Sequence, residues 1–295
     1  MQKSRNATII IIFGILIFGL LGSLKLIREI NILYLYIINP ISWILLCFIL
    51  YFLLGKNTEN KKLRKEIIQY SIIASLTFII INMLSGLVVT FGSNPYNTTL
   101  KGLIHNFWTI GVVLIAKEYV RYKLINNVYD KNKKTIAILI SIVYIIIDIE
   151  FYKFTKDNFS IFLLVKYILD DVVIKIAKNI VFSYTAMNSD CWPGIIYEIL
   201  TNLYYWISPI IPNEPWVMTA IINVTIPTIL FLYIRYTKNK LNIYKSRQDL
   251  INSDPKNIIV LVFFIILAIW FALRNISYKT CCNSNGQHER RVTCR

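Results

Sequence analysis

Charged residues are scarce in this sequence. Only 16% of its 295 residues are Asp, Glu, Lys or Arg, whereas a soluble domain carries about 25%. Hydrophobic residues make up 56% of the chain, and the mean hydropathy is +0.56. The composition therefore excludes an ordinary soluble domain. It predicts an all-α, polytopic membrane protein whose main partner is the lipid bilayer.

Acidic residues are the scarcer of the two charge signs, with 16 Asp and Glu against 32 Lys and Arg and a net charge of +16. In a soluble chain this excess would raise nucleic acid as a partner. Here the basic residues are expected in short loops between apolar runs, as membrane orientation signals are. We therefore expect no nucleic-acid partner. The bias towards Ile, Asn, Lys and Tyr is typical of an AT-rich genome, which indicates a bacterial plasma membrane.

Cysteine, histidine and motifs of catalysis are also few. The chain has five Cys and two His, and Cys47 and Cys191 have no partner at a telling spacing. Zinc or a disulfide in the tail would have to use adjacent cysteines without a C-x₂₋₄-C pair, and neither is expected; the residues concerned are Cys281, Cys282, His288 and Cys294. There is no G-x-S-x-G, H-E-x-x-H, Walker or C-x-x-C motif. The sequence assigns no catalytic, cofactor-binding or metal-binding residue and no cofactor.

Long apolar runs dominate what is present, and a membrane span needs about 20 mostly apolar residues. The first run lacks a small-x-small cleavage site before Lys25, so it is expected to stay as a helix. About seven crossings are predicted in a membrane region of residues 1–273: Ala7–Leu24, Ile32–Leu54, Ile67–Phe91, Leu103–Ile115, Thr135–Phe151, Trp216–Tyr233 and Ile258–Leu273.

Basic segments set the expected orientation of these crossings. Lys56–Glu66, Lys117–Lys134 and Arg235–Gln248 share the cytoplasmic side if the N-terminus is cytoplasmic, and Gly92–Lys101 falls outside. This order places the C-terminus outside. Lys153–Pro215 is ambiguous: its interleaved charges and aromatic residues favour interfacial helices, although it could instead hold two further crossings without changing the orientation.

Several polar residues are candidates for a functional site in a membrane protein. Asp148 and Glu150, with Lys153 nearby, are near a predicted helix end and are expected to be interfacial charges. Asp170 and Asp171 are adjacent, point in different directions on a helix and make a poor catalytic pair. Glu198 is expected at the interface, and His105 near Trp108 is expected to be a packed interface histidine.

The final stretch, "ALRNISYKTCCNSNGQHERRVTCR", belongs to neither a membrane nor a packed domain. If the codons from Arg274 to His288 are shifted by one base, the genetic code permits "GIFPIKPVAIATGSM". That string resembles the start of the catalytic domain in signal peptidase I of the archaeal and endoplasmic-reticulum type, where Gly-Ser-Met carries the nucleophilic serine. Upstream, "YYWISPIIPNEPWV" (Tyr204–Val217) resembles the Ser-Pro-x-x-Pro-x-x-Pro-Trp stretch of the multi-span bacterial members.

The resemblance implies a membrane serine endopeptidase that removes signal peptides from secretory preproteins outside the membrane. In the given frame no Gly-Ser-Met exists, so residues 274–295 are expected to be an out-of-frame, disordered tail and the chain to be inactive as a peptidase. Two other classes stay open. A small-solute transporter would use Asn82, Asp148 or Glu198, and an accessory membrane subunit would dock through Lys153–Pro215.

Overall fold

The computed structural model describes residues 5–23, 34–54, 61–149 and 161–245, all within the unit Met1–Gln248. The boundary predicted at residues 273 and 274 and the tail lie outside the described residues. The described chain is mostly helical. Its elements are α1 (Arg5–Ser23), α2 (Asn39–Leu54, preceded by a π-helical turn at Tyr34–Ile38), α3 (Lys61–Val89), β1 (Phe91–Ser93), α4 (Leu100–Asn106, followed by a π-helical turn at Phe107–Gly111), α5 (Val112–Asn126), α6 (Asp130–Asp148), α7 (Ile161–Tyr167, followed by a π-helical turn at Ile168–Val172), α8 (Val173–Asn188), α9 (Trp192–Ile207), β2 (Ile210–Pro212) and α10 (Trp216–Lys245).

Three helices of the described part are long and apolar enough to cross a membrane: Tyr34–Leu54, Leu63–Val89 and Trp216–Asn239. They indicate a membrane protein, but the structure does not support the seven crossings predicted from the sequence. The apolar part of α1, Thr8–Ile17, and the 16-residue helix α9 are too short, and other described helices mix apolar residues with charges. The continuous helical stretch Leu100–Asn126, for example, carries Glu118, Arg121 and Lys123. The run Ile258–Leu273 lies outside the described residues.

The segments predicted as basic loops are largely helical. Lys117–Asn126 is the last part of α5, and only Asn127–Tyr129 separates it from α6. In the other two segments, α3 begins at Lys61 and α10 continues to Lys245. The prediction of loops was wrong there because lysine and arginine are good helix formers and can continue an apolar helix beyond its hydrophobic part.

Within the ambiguous stretch Lys153–Pro215, the described residues 161–215 form helices that pack among the others. Side chains of α8 and α9 such as Asn179, Ser183 and Glu198 are buried against neighbouring helices. The turn between α8 and α9 is held by Asp190, whose carboxylate lies 2.5 Å from Arg64 on α3. Neither α8 nor α9 is among the described helices long and apolar enough to cross a membrane, and the interfacial position of this stretch stays a prediction.

Apolar residues at helical spacing build the core. On α5 the buried residues include Val113, Ala116, Val120 and Leu124, and on α6 they include Ile136, Ile140, Val143 and Tyr144. Each set recurs every three or four residues, so each helix presents one continuous apolar face. These faces enclose a core with Trp43 and Leu50 of α2 and Ile12 and Ile15 of α1.

Contacts between helix ends define two distinct ends of the bundle. At one end Asn127 hydrogen-bonds Thr8, Arg64 pairs with Asp190, and Lys238 lies over the Tyr184 ring. We call this the basic end. At the other end β1 pairs with β2 in an antiparallel two-stranded sheet, with Gly92 opposite Ile211. We call Thr90–Ser93 together with Ser208–Pro215 the strand ledge.

Candidate functional site

Three helices contribute polar side chains to one interior stripe of the bundle. Apart from the adjacent Lys117 and Glu118, these residues recur three or four positions apart on each helix, so they share a face. We call this set the polar seam: Lys117, Glu118 and Arg121 of α5, Ser141, Tyr144 and Asp148 of α6, and Asp171, Lys175, Asn179 and Ser183 of α8 and the π-helical turn before it.

Arg121 is the centre of the seam and is only 2% exposed. One terminal nitrogen donates to the Asn179 carbonyl at 2.9 Å and to Ser183 Oγ at 3.3 Å. The other donates to Asn179 Oδ1 at 2.6 Å and lies 3.2 Å from Glu118 Oε1. The planar guanidinium therefore joins α5 to α8 through several donors in a fixed arrangement, which a lysine could not reproduce.

Aromatic rings cover the same guanidinium. Its central carbon lies 4.8 Å from the centre of the Tyr144 ring and 5.7 Å from that of Phe182. Such contacts favour a cation over the ring faces. Arg121 Nε has no hydrogen-bond partner among the described residues. The rings and the Glu118 carboxylate thus complete the surroundings of a charge that is fully removed from water.

Asp148 forms the second centre of the seam, at the end of α6. Its carboxylate lies 2.6 Å from Lys117 Nζ and 3.4 Å from Asn179 Nδ2. Lys175 donates to the Asp148 carbonyl and to Asp171 Oδ2, both at 2.7 Å. Asp148 is near a helix end, as the sequence predicts, but it is bound to two neighbouring helices.

A further ion pair connects α8 to α9 beside the seam. Lys178 Nζ lies 3.6 Å from Glu198 Oε1, and Asn202 donates to Glu198 Oε2 at 3.2 Å. Glu198 was expected at the interface, but it is buried. Gly194 of α9 packs directly on Glu118, because a Cβ there would lie 2.6 Å from Glu118 Oε2. A larger residue at position 194 would therefore force the Glu118 carboxylate to move.

Charges in the seam and in this adjoining pair balance. The four cations are Lys117, Arg121, Lys175 and Lys178, and the four anions are Glu118, Asp148, Asp171 and Glu198. An isolated charge in a membrane interior is costly, whereas pairing with a nearby opposite charge offsets part of that cost. The arrangement can therefore fix the register of α5, α6, α8 and α9 against one another.

Hydrogen bonds between residues far apart in the sequence hold the two parts of the strand ledge together. Asn94 Nδ2 donates to the carbonyls of Tyr205 and Ser208, both at 2.5 Å, and so caps the end of α9. The Asn213 amide donates to the Thr90 carbonyl at 3.0 Å. Thr90 has φ = 102°, a value that a β-branched residue rarely adopts and that costs about 1–3 kcal/mol. The hydrogen bonds between the two parts of the ledge hold this strained turn in place.

Glu214 anchors the ledge to two helices. Its carboxylate accepts hydrogen bonds from the Ser85 hydroxyl of α3 and, at 3.4 Å, from the Thr219 hydroxyl of α10. Burial raises the pKa of Glu214 above its ordinary value, and these two hydrogen bonds oppose the shift. Protonation of Glu214 is therefore easier in the folded chain than in the unfolded one.

The structure does not bring the three residues weighed for solute transport into one site. Asn82 is buried near the ledge and accepts from the Tyr205 hydroxyl at 3.2 Å, whereas Asp148 is in the seam and Glu198 pairs with Lys178. The His105 ring is exposed and packs on Tyr36, with ring centres 4.5 Å apart.

The remaining weighed residues divide between the described and undescribed parts. Asp170 and Asp171 share a π-helical turn, and Asp171 pairs with Lys175. Glu150, Lys153 and the tail Cys and His residues lie outside the described residues. Within the described ranges, no group of three or more His, Cys, Asp or Glu could hold a metal ion.

Sequence reasoning missed Glu118 and Arg121, which it placed in a basic loop. Their spacing of three residues within the apolar pattern of Val120 and Leu124 was the available signal of a buried helical pair.

Comparison of the chain with protein-family models, curated proteins and solved structures gives no match.

Proposed function

We propose that this chain is the membrane region of a protein similar to signal peptidase I, the membrane endopeptidase that removes signal peptides from preproteins. The observation that carries the proposal is the place of the Ser-Pro-x-x-Pro-x-x-Pro-Trp stretch, Ser208–Trp216. It forms the ordered ledge, at the end of the bundle opposite the basic end. Signal peptides are cleaved outside the membrane, and this segment is at the end that the positive-inside rule assigns to the outside.

The orientation belongs to the same proposal. Arg64, Lys133, Lys134, Arg235 and Lys238 come from helices α3, α6 and α10 and meet at the basic end. We infer that this end is cytoplasmic in a bacterial plasma membrane. The expected topology keeps the N-terminus cytoplasmic and places the C-terminus outside, as an odd number of crossings requires.

Cysteine labelling in a cysteine-free background checks this orientation. Tyr96→Cys, beside the ledge, is expected to react with a membrane-impermeant maleimide added to intact cells. Lys131→Cys, in the first turn of α6, is expected to react only after the cells are opened, because its segment is held inside by its positive charge. Both side chains are exposed, so access is not limited by burial. Labelling of position 131 in intact cells, with none at position 96, would reverse the orientation.

The chemistry that the resemblance implies is peptide hydrolysis. An activated serine would attack the carbonyl that follows the small-x-small site, a His or Lys would move the proton, and backbone donors would stabilise the oxyanion. None of these groups is assigned to a residue of this chain. The proposal is that residues 274–288 replace the start of the catalytic domain by a shift of one base.

Reading the gene through and past the codon for Arg295 tests the proposal directly. The expected result is that the shifted frame encodes the permitted string and then the rest of a peptidase domain. If the shifted frame encodes no Gly-Ser-Met, the family assignment rests on Tyr204–Val217 alone, which is too little to maintain it.

Small-solute transport is the second candidate, and the polar seam is the observation that favours it, because intramembrane charges often mark solute or proton paths. The complete pairing of the seam weighs against it, since a path needs groups that can exchange partners. The same gene reading separates the two candidates, because transport gains if the permitted string is absent. An accessory membrane subunit gains from that outcome in the same way.

A further inference from the structure

An apolar groove runs between helices α6, α8 and α10. Its volume is about 430 Å³, within the range of about 300–1,000 Å³ typical of small-molecule pockets. Ile138 and Ile142 form one wall, Ile180 the second, and Phe231 the third, with Ser141 and Ser183 of the seam also lining it. Lys134 lies at one end of the groove and Tyr184 closes the side next to it.

The mouth of the groove at the basic end is strongly positive. Lys238 Nζ lies 5.9 Å from the centre of the Tyr184 ring, and Lys133 and Lys134 are near enough for their charges to act on Lys238. Arg235 acts on Tyr184 in the same way. Side chains from three helices, either basic or phenolic, therefore lie together at one end of the apolar groove.

Most of this positive charge has no counter-ion in the described part of the chain. Lys133 pairs with Asp130 at 2.9 Å, but no described carboxylate pairs with Lys134, Arg235 or Lys238. The seam shows the opposite pattern, since each of its cations has an anion as a partner. Charges held close together without compensation favour an anionic group between them.

The length of the groove fits one leaflet of a bilayer. Lys134 and Ile145 mark its extent along α6, which at about 1.5 Å per residue is about 16 Å. Half of a hydrocarbon core of about 30 Å is about 15 Å. An acyl chain in the groove would thus end near the bilayer centre while its headgroup stays at the basic mouth.

We propose that this groove is a binding site for one anionic phospholipid, with its acyl chain along Ile138, Ile142 and Ile180 and its phosphate between Lys134, Arg235 and Lys238. Charge complementarity selects the headgroup, and the apolar walls select the chain. Basic pockets between membrane helices bind such headgroups. The site is independent of peptidase activity and of the reading frame of the tail.

The test uses the full chain, purified in a neutral detergent, with two lipids that share acyl chains. Dioleoylphosphatidylglycerol is expected to bind about tenfold more tightly than dioleoylphosphatidylcholine, measured by native mass spectrometry. Lys134→Gln/Lys238→Gln is expected to remove that preference, because the double variant takes both charges from the mouth. Lys65→Gln/Lys131→Gln changes the net charge equally at exposed lysines outside the groove and is expected to keep the preference.

A groove variant tests the acyl chain. Ile142→Trp fills the channel and is expected to weaken both lipids about tenfold while leaving the thermal midpoint of the lipid-free protein nearly unchanged, because Ile142 is half exposed. Equal binding of the two lipids by the wild-type chain overturns the proposal. So does an equal loss in the Lys65→Gln/Lys131→Gln control. If inorganic phosphate raised the thermal midpoint of the protein as much as the phosphatidylglycerol does, the site would bind anions in general and would not be specific for a lipid. That result would also overturn the proposal.

Discussion

Replacing Arg121 with alanine is expected to lower the free energy of unfolding by about 3–5 kcal/mol. The substitution leaves the Glu118 carboxylate, which is only 4% exposed, without its cation. It also removes the donors to the Asn179 carbonyl and side chain. Leaving one buried charge and two buried acceptors without a partner destabilises the fold by more than the intact interactions stabilise it.

Three further variants sharpen this test, which is followed by thermal or denaturant unfolding in detergent. Arg121→Lys keeps the charge but loses the planar fork, so we expect a smaller loss. The double variant Glu118→Leu/Arg121→Met is expected to be more stable than Arg121→Ala, because no unpaired charge remains. Lys131→Ala is the control, with an expected change within about 0.5 kcal/mol. An Arg121→Ala effect as small as this control would show that the seam does not stabilise the bundle.

The apolar helices were predictable because their signal is local. Ile32–Leu54 and Ile67–Phe91 correspond to helices at Tyr34–Leu54 and Lys61–Val89. The apolar run alone requires that these segments bury their backbone polar groups in helices. The helix ends were not predictable in the same way, because α10 extends through basic residues to Lys245 and charge does not stop a helix.

The seam depends on pairings that a single sequence does not reveal. Arg121 and Asn179 are 58 positions apart, and Lys117 and Asp148 are 31 apart. Counting lysine and arginine treats each charge as unpaired, so Lys117–Lys134 was predicted to be a loop and Lys153–Pro215 to be interfacial. Partners on neighbouring helices explain why Lys117–Asn126 is a largely buried helix, since a paired charge tolerates burial that an isolated charge does not. The interfacial position of Lys153–Pro215 stays a prediction.

The strand ledge shows the same limit at shorter range. Pro209, Pro212 and Pro215 argue against a regular strand, and the segment pairs with β1 only over Ile210–Pro212. Its partner strand, Phe91–Ser93, is more than a hundred residues away in the sequence. Asn94, directly after that strand, supports the pairing through its hydrogen bonds to the carbonyls of Tyr205 and Ser208. Sequence resemblance identified this segment as distinctive, whereas its contacts with α3 and α9 came only from the structure.

Restoring the shifted reading frame, with the downstream gene intact, is expected to convert an inactive chain into one that cleaves signal peptides. Under the proposed frame shift, the 295-residue chain is expected to leave a preprotein uncut, because the shift would remove the nucleophile and its base. In the repaired gene, Gly-Ser-Met would replace Gly286–His288. Its serine would follow the last apolar run and stand at the outer membrane surface. Cleavage of a purified preprotein in proteoliposomes, followed by gel shift and by sequencing of the new N-terminus, measures the gain.

The matched control is the repaired gene with alanine in place of that serine. Because the nucleophile forms the covalent intermediate, its loss is expected to lower kcat by at least about 10³-fold while membrane insertion is unchanged. The new N-terminus is expected to follow a small-x-small site, which separates signal-peptide processing from contaminating proteolysis. Cleavage by the unrepaired chain would show that the active groups are already present in these 295 residues, and the shifted frame would then have no part in the activity. Equal cleavage by the repaired enzyme and its alanine control would instead remove the serine from the mechanism.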